Sequence, residues 1–207
     1  HDFIRGVVGW VDLGAPILER QLEYYKDYPK LCGFRHIVQS EADPLFLLRD
    51  KFLKGISKLA QYGYTYDILI FPHQLGTALE LVKLFPNQKF IIDHIAKPYI
   101  KAGFIEAWAV QMKAIAKYEN VYCKVSGMVT EADWGNWKYH DFVPYLDIVF
   151  EAFGIQRVVY GSDWPVCLVA ASYHQMKGIV DTYLSQFSSS DQKLFFRENA
   201  LRFYDLN

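Results

Sequence analysis

Apolar residues fall along the chain in two alternating rhythms. Compact, nearly continuous runs occur at Gly6 to Leu13, Gly33 to Val38, Tyr66 to Phe71, Lys89 to His94, Val121 to Val125 and Arg157 to Tyr160. Their length and continuity predict parallel strands buried on both faces. Between them, apolar positions recur every three or four residues: Leu45, Leu48, Phe52, Ile56 and Leu59, then Phe104, Trp108, Met112 and Ile115 with Ala107 and Ala116 beside them. Such stripes predict helices with one face on the sheet. Ser189 followed by Gln192 predicts a capping box for the last helix, which carries Leu194, Phe195, Leu201 and Phe203. Gly33, Gly63 and Gly154 sit between helical runs and strands, where helix C-caps are expected.

Successive strands begin roughly 25 to 35 residues apart, the length of one strand-loop-helix-loop unit. No sequence repeat, linker or low-complexity tract interrupts the pattern, so residues 1–207 read as a single domain. Alternating βα units build either a barrel or an open doubly wound sheet. A GxGxxG fingerprint and a Walker phosphate loop are both absent. His94, Ser126 and Asp163 fall at or just past the C-terminal ends of separate strands. Catalytic groups of α/β barrels gather there, so the expected fold is an α/β barrel of the TIM type.

Composition adds little beyond a globular interior: 52% of residues are hydrophobic and 22% charged. A formal net charge of -1 argues against a polyanion partner, which needs clustered, uncompensated Lys and Arg. No apolar run is long enough to cross a membrane. Aromatic residues make up 17% of the chain, enough to fill a core and wall a small-molecule pocket. Cys32, Cys123 and Cys167 form no CxxC pair, which fits free thiols and a cytoplasmic setting. The chain opens on His1 without an initiator Met and runs at once into a strand.

The candidate chemistry lies at the strand ends. Asp163, in RVVYGSDWP, follows a glycine and precedes Trp164-Pro165; a carboxylate there can act as general base, metal ligand or helix cap. His94 closes FIIDH, with Asp93 before it and Lys97 in the next loop, where a cation could neutralise an anionic substrate. In GFRHIV, Arg35 and His36 point to opposite faces. An inward Arg35 needs a carboxylate partner or substrate oxygens, and His36 is then structural. His73 starts the loop after the third strand, Lys124 and Ser126 mark another strand end, and Trp134 and Trp137 form an aromatic loop above it. Trp10 reads as core, and His140 and His174 lie in helical context. HExxH, GxSxG and a Cys-His pair are absent. A set of His, Asp and Arg suits attack by activated water on a carbonyl.

Taken together, VVGWVDL, GFRHIVQ, DILIFPHQL, FIIDHIAKP, VYCKVSGM, RVVYGSDWP and ENALRFYDL resemble, in order along the whole chain, the metal-optional lactonase branch of the amidohydrolase superfamily. That branch includes L-fuconolactonase, L-rhamnonolactonase and 2-pyrone-4,6-dicarboxylate lactonase. The resemblance implies a distorted (β/α)₈ barrel and hydrolysis of a cyclic ester of a sugar acid. It implies Asp163 as general base, His94 as the second active-site residue, and Arg35 and His73 near the substrate. Lys97 and Trp164 are further candidates for substrate contact. Family members open with a strand carrying HxH and then a second strand, neither of which precedes VVGWVDL here. The expectation is therefore an N-terminally truncated barrel lacking its first two βα units, about 70 residues at the usual repeat length.

The metal question stays open at this point. The enzyme needs either no cofactor or one divalent metal such as zinc, with His94 and Asp163 as the ligands present. The expected partner is a small-molecule sugar lactone, with no nucleic acid and no membrane, and the oligomeric state is open. Two alternatives are a metal-dependent decarboxylase of the same superfamily and a non-catalytic ligand-binding barrel.

Overall fold

The computed structural model describes residue 1 and residues 3–206. Six strands lie hydrogen-bonded in chain order: β1 (Val7–Gly9), β2 (Leu31–Ile37), β3 (Thr65–Leu69), β4 (Phe90–Ile92), β5 (Val121–Val125) and β6 (Val158–Tyr160). Every neighbouring pair is parallel. Helices return the chain between strands: α1 (Leu18–Tyr25), α2 (Asp50–Gln61), α3 (Leu75–Leu84), α4 (Glu106–Ile115), α5 (Met128–Glu131) and α6 (Tyr139–Phe153), then α7 (Tyr173–Leu184), α8 (Ser189–Lys193) and α9 (Asn199–Tyr204). The sheet is curled, with two chemically different faces. No helix among the described residues is long and apolar enough to cross a membrane.

Strand alternation divides those faces. Tyr66, Ile68, Phe90, Ile92, Cys123, Val125 and Val158 point to the helices and join the large apolar core with Ile56, Leu59, Leu81, Met112, Ile115 and Val149. This is the layer that the helical stripes anticipate, and its burial supplies most of the drive to fold. The inner face is different. A small apolar cluster of Ile91, Val159 and Phe203 covers part of it, and the remainder carries Arg35, Asp67, Asp93 and Lys124. Cross-strand register sets Arg35 beside Asp67 and Asp67 beside Ile91.

The C-terminal segment closes the layer. A π-helical turn (Leu194–Glu198) joins α8 to α9. Asn199 donates to the carbonyls of Ile155 and Val158 at 2.7 Å each, tying α9 to the start of β6. Lys89, just before β4, donates to the Phe203 carbonyl and pairs with Asp205.

Several details differ from the sequence reading. Ser188, not Ser189, caps α8, accepting from the Asp191 N–H; the cap and its N3 partner are both one residue earlier than expected. Gly63 and Gly154 do end helices at positive φ, but Gly33 lies inside β2. A Cβ there would sit 2.1 Å from Thr65 Oγ1 and 2.8 Å from the Thr65 carbonyl, so β2 and β3 approach too closely for a side chain. Gly33→Ala is expected to cost about 1–3 kcal/mol through overpacking, read as a lower denaturation midpoint. Trp10, expected in the core, is 60% exposed because β1 stops at Gly9. Its indole donates to His36 Nδ1 at 3.2 Å, and His36 Nε2 meets Glu41 at 2.6 Å. His36 is thereby structural, on the face opposite Arg35.

Candidate active site

Two backbone segments with left-handed conformations frame the cavity at the C-terminal ends of β4, β5 and β6. After β4, His94, Ile95, Ala96 and Lys97 take φ of 52°, 47°, 57° and 49°. Each such non-glycine residue costs roughly 1–2 kcal/mol, so the surroundings must enforce the turn. Ile95 and Ala96 are fully buried. The Trp108 indole donates to the Ile95 carbonyl at 2.8 Å, and Lys97 is held by Glu131 at 3.1 Å. Asp163, after β6, has φ of 55°, and its carbonyl accepts from the Cys167 N–H at 2.8 Å. Strain held by the scaffold in this way clusters at functional sites.

These turns bring His94 and Asp163 together. His94 Nε2 lies 3.6 Å from Asp163 Oδ1, and both side chains are nearly buried. Ser126 Oγ, beyond the end of β5, meets His94 Nδ1 at 2.8 Å. Gly127 packs flat on the imidazole, where a Cβ would come within 2.9 Å of the ring. Burial holds the imidazole below its ordinary pKa, although Asp93 and Asp163 oppose that shift. His94 is therefore neutral near pH 7, with Nδ1 committed to Ser126 and Nε2 facing Asp163.

Beneath this pair the inner sheet face carries a buried charge network. Lys124 pairs with Asp67 Oδ2, and its Nζ lies 2.7 Å from Asp93 Oδ1. Arg35 Nη1 donates to Asp93 Oδ2 at 3.0 Å, and the Tyr204 hydroxyl donates to Asp67 Oδ2 at 2.8 Å. Both carboxylates are fully buried. Burial pushes Asp67 up to about 6 against the pull of Lys124. Asp93 is also disfavoured by burial, but Lys124, His94 and Arg35 outweigh it and hold Asp93 below its usual value. Burial alone would lower Lys124; Asp67 and Asp93 instead keep its ammonium well above the ordinary range.

His94, Asp163, Arg35, Lys124 and Trp164 line one cavity of about 570 Å³, within the size range of small-molecule sites. Arg35 is 41% exposed along its side chain and Trp164 is 62% exposed. Two other candidates sit elsewhere. Lys97 is occupied by Glu131 and flanks the Phe71 ring. His73 borders a separate, mainly apolar hollow with Tyr99, Phe104 and Trp108. Asp67 escaped the sequence reading, and Lys124 was legible there only as a strand-end residue. Their signal was parity: each is a charge at an inner-face position of an otherwise apolar strand.

Residues 1–206 match the amidohydrolase family (Amidohydro_2). The chain belongs to this family. It is 35% identical over 215 residues to an L-fucono-1,5-lactonase of Burkholderia multivorans, covering 98% of this chain and 72% of that protein. An L-fucono-1,5-lactonase of Burkholderia ambifaria is 32% identical over 212 residues, with 99% and 72% covered. The crystal structure of a Burkholderia multivorans amidohydrolase with bound zinc superposes with a TM-score of 0.94 at 35% identity, covering 98% of this chain and 74% of that one. The six strands thus form a curled half-barrel with flanking helices, part of the α/β barrel fold of the amidohydrolases. Zinc sites draw on three or four protein ligands. His94 and Asp163 offer two, and no group of three or more His, Cys, Asp or Glu is assembled among the described residues. The described residues therefore do not by themselves fit a complete zinc site.

Proposed function

We propose that this chain hydrolyses the ring ester of a sugar-acid lactone of the L-fucono- or L-rhamnono-lactone type. The observation that carries the reading is the approach of His94 Nε2 to Asp163 Oδ1 at 3.6 Å in a cavity that Arg35 also lines. The names of the Burkholderia relatives support the same substrate class.

Asp163 is the general base. It takes a proton from water as the water oxygen bonds to the lactone carbonyl carbon. Negative charge then gathers on the carbonyl oxygen. Neutral His94 and the N–H groups of Arg35 beyond the one given to Asp93 are placed to steady it, a contribution commonly worth about 3–4 kcal/mol per donor. Collapse breaks the bond from carbon to the ring oxygen, and Asp163 returns its proton to the departing alkoxide. The second proton of the water stays on the new carboxyl group and is then lost to solvent, so the sugar acid leaves with one carboxylate. Ser126 positions the imidazole through Nδ1, and Trp164 offers an exposed aromatic face to the apolar side of a sugar ring.

A pH-indicator assay of the full chain on a panel of five- and six-membered sugar lactones, with and without chelator, tests the reading. Turnover of at least one deoxy-sugar lactone at a kcat of about 1 s⁻¹ or more is expected. Binding without turnover across the panel would leave only a ligand-binding barrel.

A further inference from the structure

Among the described residues, two cations, Arg35 and Lys124, line the cavity, and both are already spent. Arg35 is paired with Asp93 at 3.0 Å. Lys124 is paired with Asp67 and lies 2.7 Å from Asp93. Asp163 adds a third carboxylate, so among the described residues three carboxylates, Asp67, Asp93 and Asp163, stand against these two cations around the cavity. Asp67 sits behind Lys124, fully buried, and its only other partner among the described residues is the Tyr204 hydroxyl. A substrate carboxylate entering here would meet a net negative field. To win Lys124 or Arg35 it would have to displace Asp67 or Asp93, leaving a buried carboxylate uncompensated.

We infer that the cavity selects neutral lactones against carboxylated ones, and that Asp67 sets this selection by neutralising Lys124. Asp67 is a specificity-determining residue that acts through Lys124, not a residue that touches the substrate. The inference deepens the lactonase reading and rests on it for its kinetic form. It has a second consequence. Hydrolysis turns a neutral ligand into an anion, so the field that rejects carboxylated substrates also repels the product. The sugar acid should bind more weakly than its lactone, and its departure should need no conformational trigger.

The test compares kcat/KM of the full chain for a neutral sugar lactone and for a lactone of the same ring size bearing a free carboxylate. Wild type is expected to prefer the neutral compound by about 100-fold, the size of one unscreened unit charge at the cavity wall. Asp67→Asn keeps the shape and frees Lys124 of one partner; it is expected to shrink the preference at least about tenfold, through a lower KM for the carboxylated lactone. Tyr204→Phe removes the other contact to Asp67 without changing charge and should leave the ratio within about twofold, whereas a merely structural role for Asp67 would move both variants alike. Equal use of the two lactones by wild type, or equal shifts in the two variants, overturns the inference.

If Asp67→Asn does not fold, wild type still decides: the sugar-acid product should inhibit with a Ki about tenfold or more above the KM for its lactone, and a Ki at or below KM contradicts the inference. If wild type turns over neither lactone, the proposed activity has failed separately. Calorimetric binding of the sugar acid and of an uncharged sugar lactam then reads the charge selection directly. Tighter binding of the acid to wild type would overturn it.

Discussion

Asp163→Asn is expected to lower kcat on a sugar lactone by about 100- to 10,000-fold, the range for loss of a positioned general base. Folding should survive the change. Asp163 sits at φ of 55°, a conformation that Asn adopts as readily as Asp. Asn keeps the side-chain oxygen near His94 Nε2 but cannot accept the proton from water. KM should change little beside kcat, because the carboxylate acts on water and not on the sugar. Steady-state kinetics with a thermal melt of the same sample checks this. Retention of more than about a tenth of the wild-type kcat, with an unchanged melt, would remove Asp163 from the role of base.

Lys124→Met carries the largest expected effect on stability. Methionine fills similar space, but it leaves Asp67 and Asp93 facing each other on the inner sheet face with, among the described residues, Arg35 and Tyr204 as their remaining hydrogen-bond partners. Breaking a buried ion network on one side commonly costs about 3–5 kcal/mol, a large share of a domain's marginal stability. The pH dependence has a definite sign. Asp67 is already pushed up to about 6 in the native state, and loss of Lys124 raises it further. A carboxyl whose folded pKa lies above its unfolded value contributes stability fully present below the unfolded pKa and lost as pH rises through the folded one. The variant should therefore be closest to wild type near pH 4 and fall away toward pH 8. Melting curves across that range check it; a constant difference between variant and wild type contradicts the network.

The six strands were legible because each is an apolar run of strand length; the structure shortens most of them, while β2 and β3 begin earlier than expected, at Leu31 and Thr65. Val121–Val125 is unchanged, while the run from Gly6 to Leu13 contracts to Val7–Gly9. That contraction is why Trp10 came out exposed: the rest of the run is apolar, but only its first part pairs with β2. His94 and Asp163 were legible as strand-end residues. Their mutual distance was not, because it depends on left-handed turns at ordinary residues, for which DHIAK and GSDWP carry no local signal. Alternation set Arg35 and His36 on opposite faces, and an inward Arg35 called for either a carboxylate or substrate oxygens. The identity of that carboxylate did not follow, since Asp93 lies 58 positions away. The role of α9 was equally hidden: periodicity places Phe203 on a helix, but not against Ile91 and Val159 on the inner face.

The claim beneath all of this is that Asp163 and His94 act as one unit on one bound lactone. A double-mutant cycle with Asp163→Asn, His94→Asn and the combined variant, read as kcat/KM of the full chain on the best neutral lactone, tests it most directly. Groups that work as a unit are strongly non-additive. The combined variant is expected to fall no more than about tenfold below the weaker single variant. If the two losses multiply in full, the residues act independently and the shared-site mechanism is contradicted.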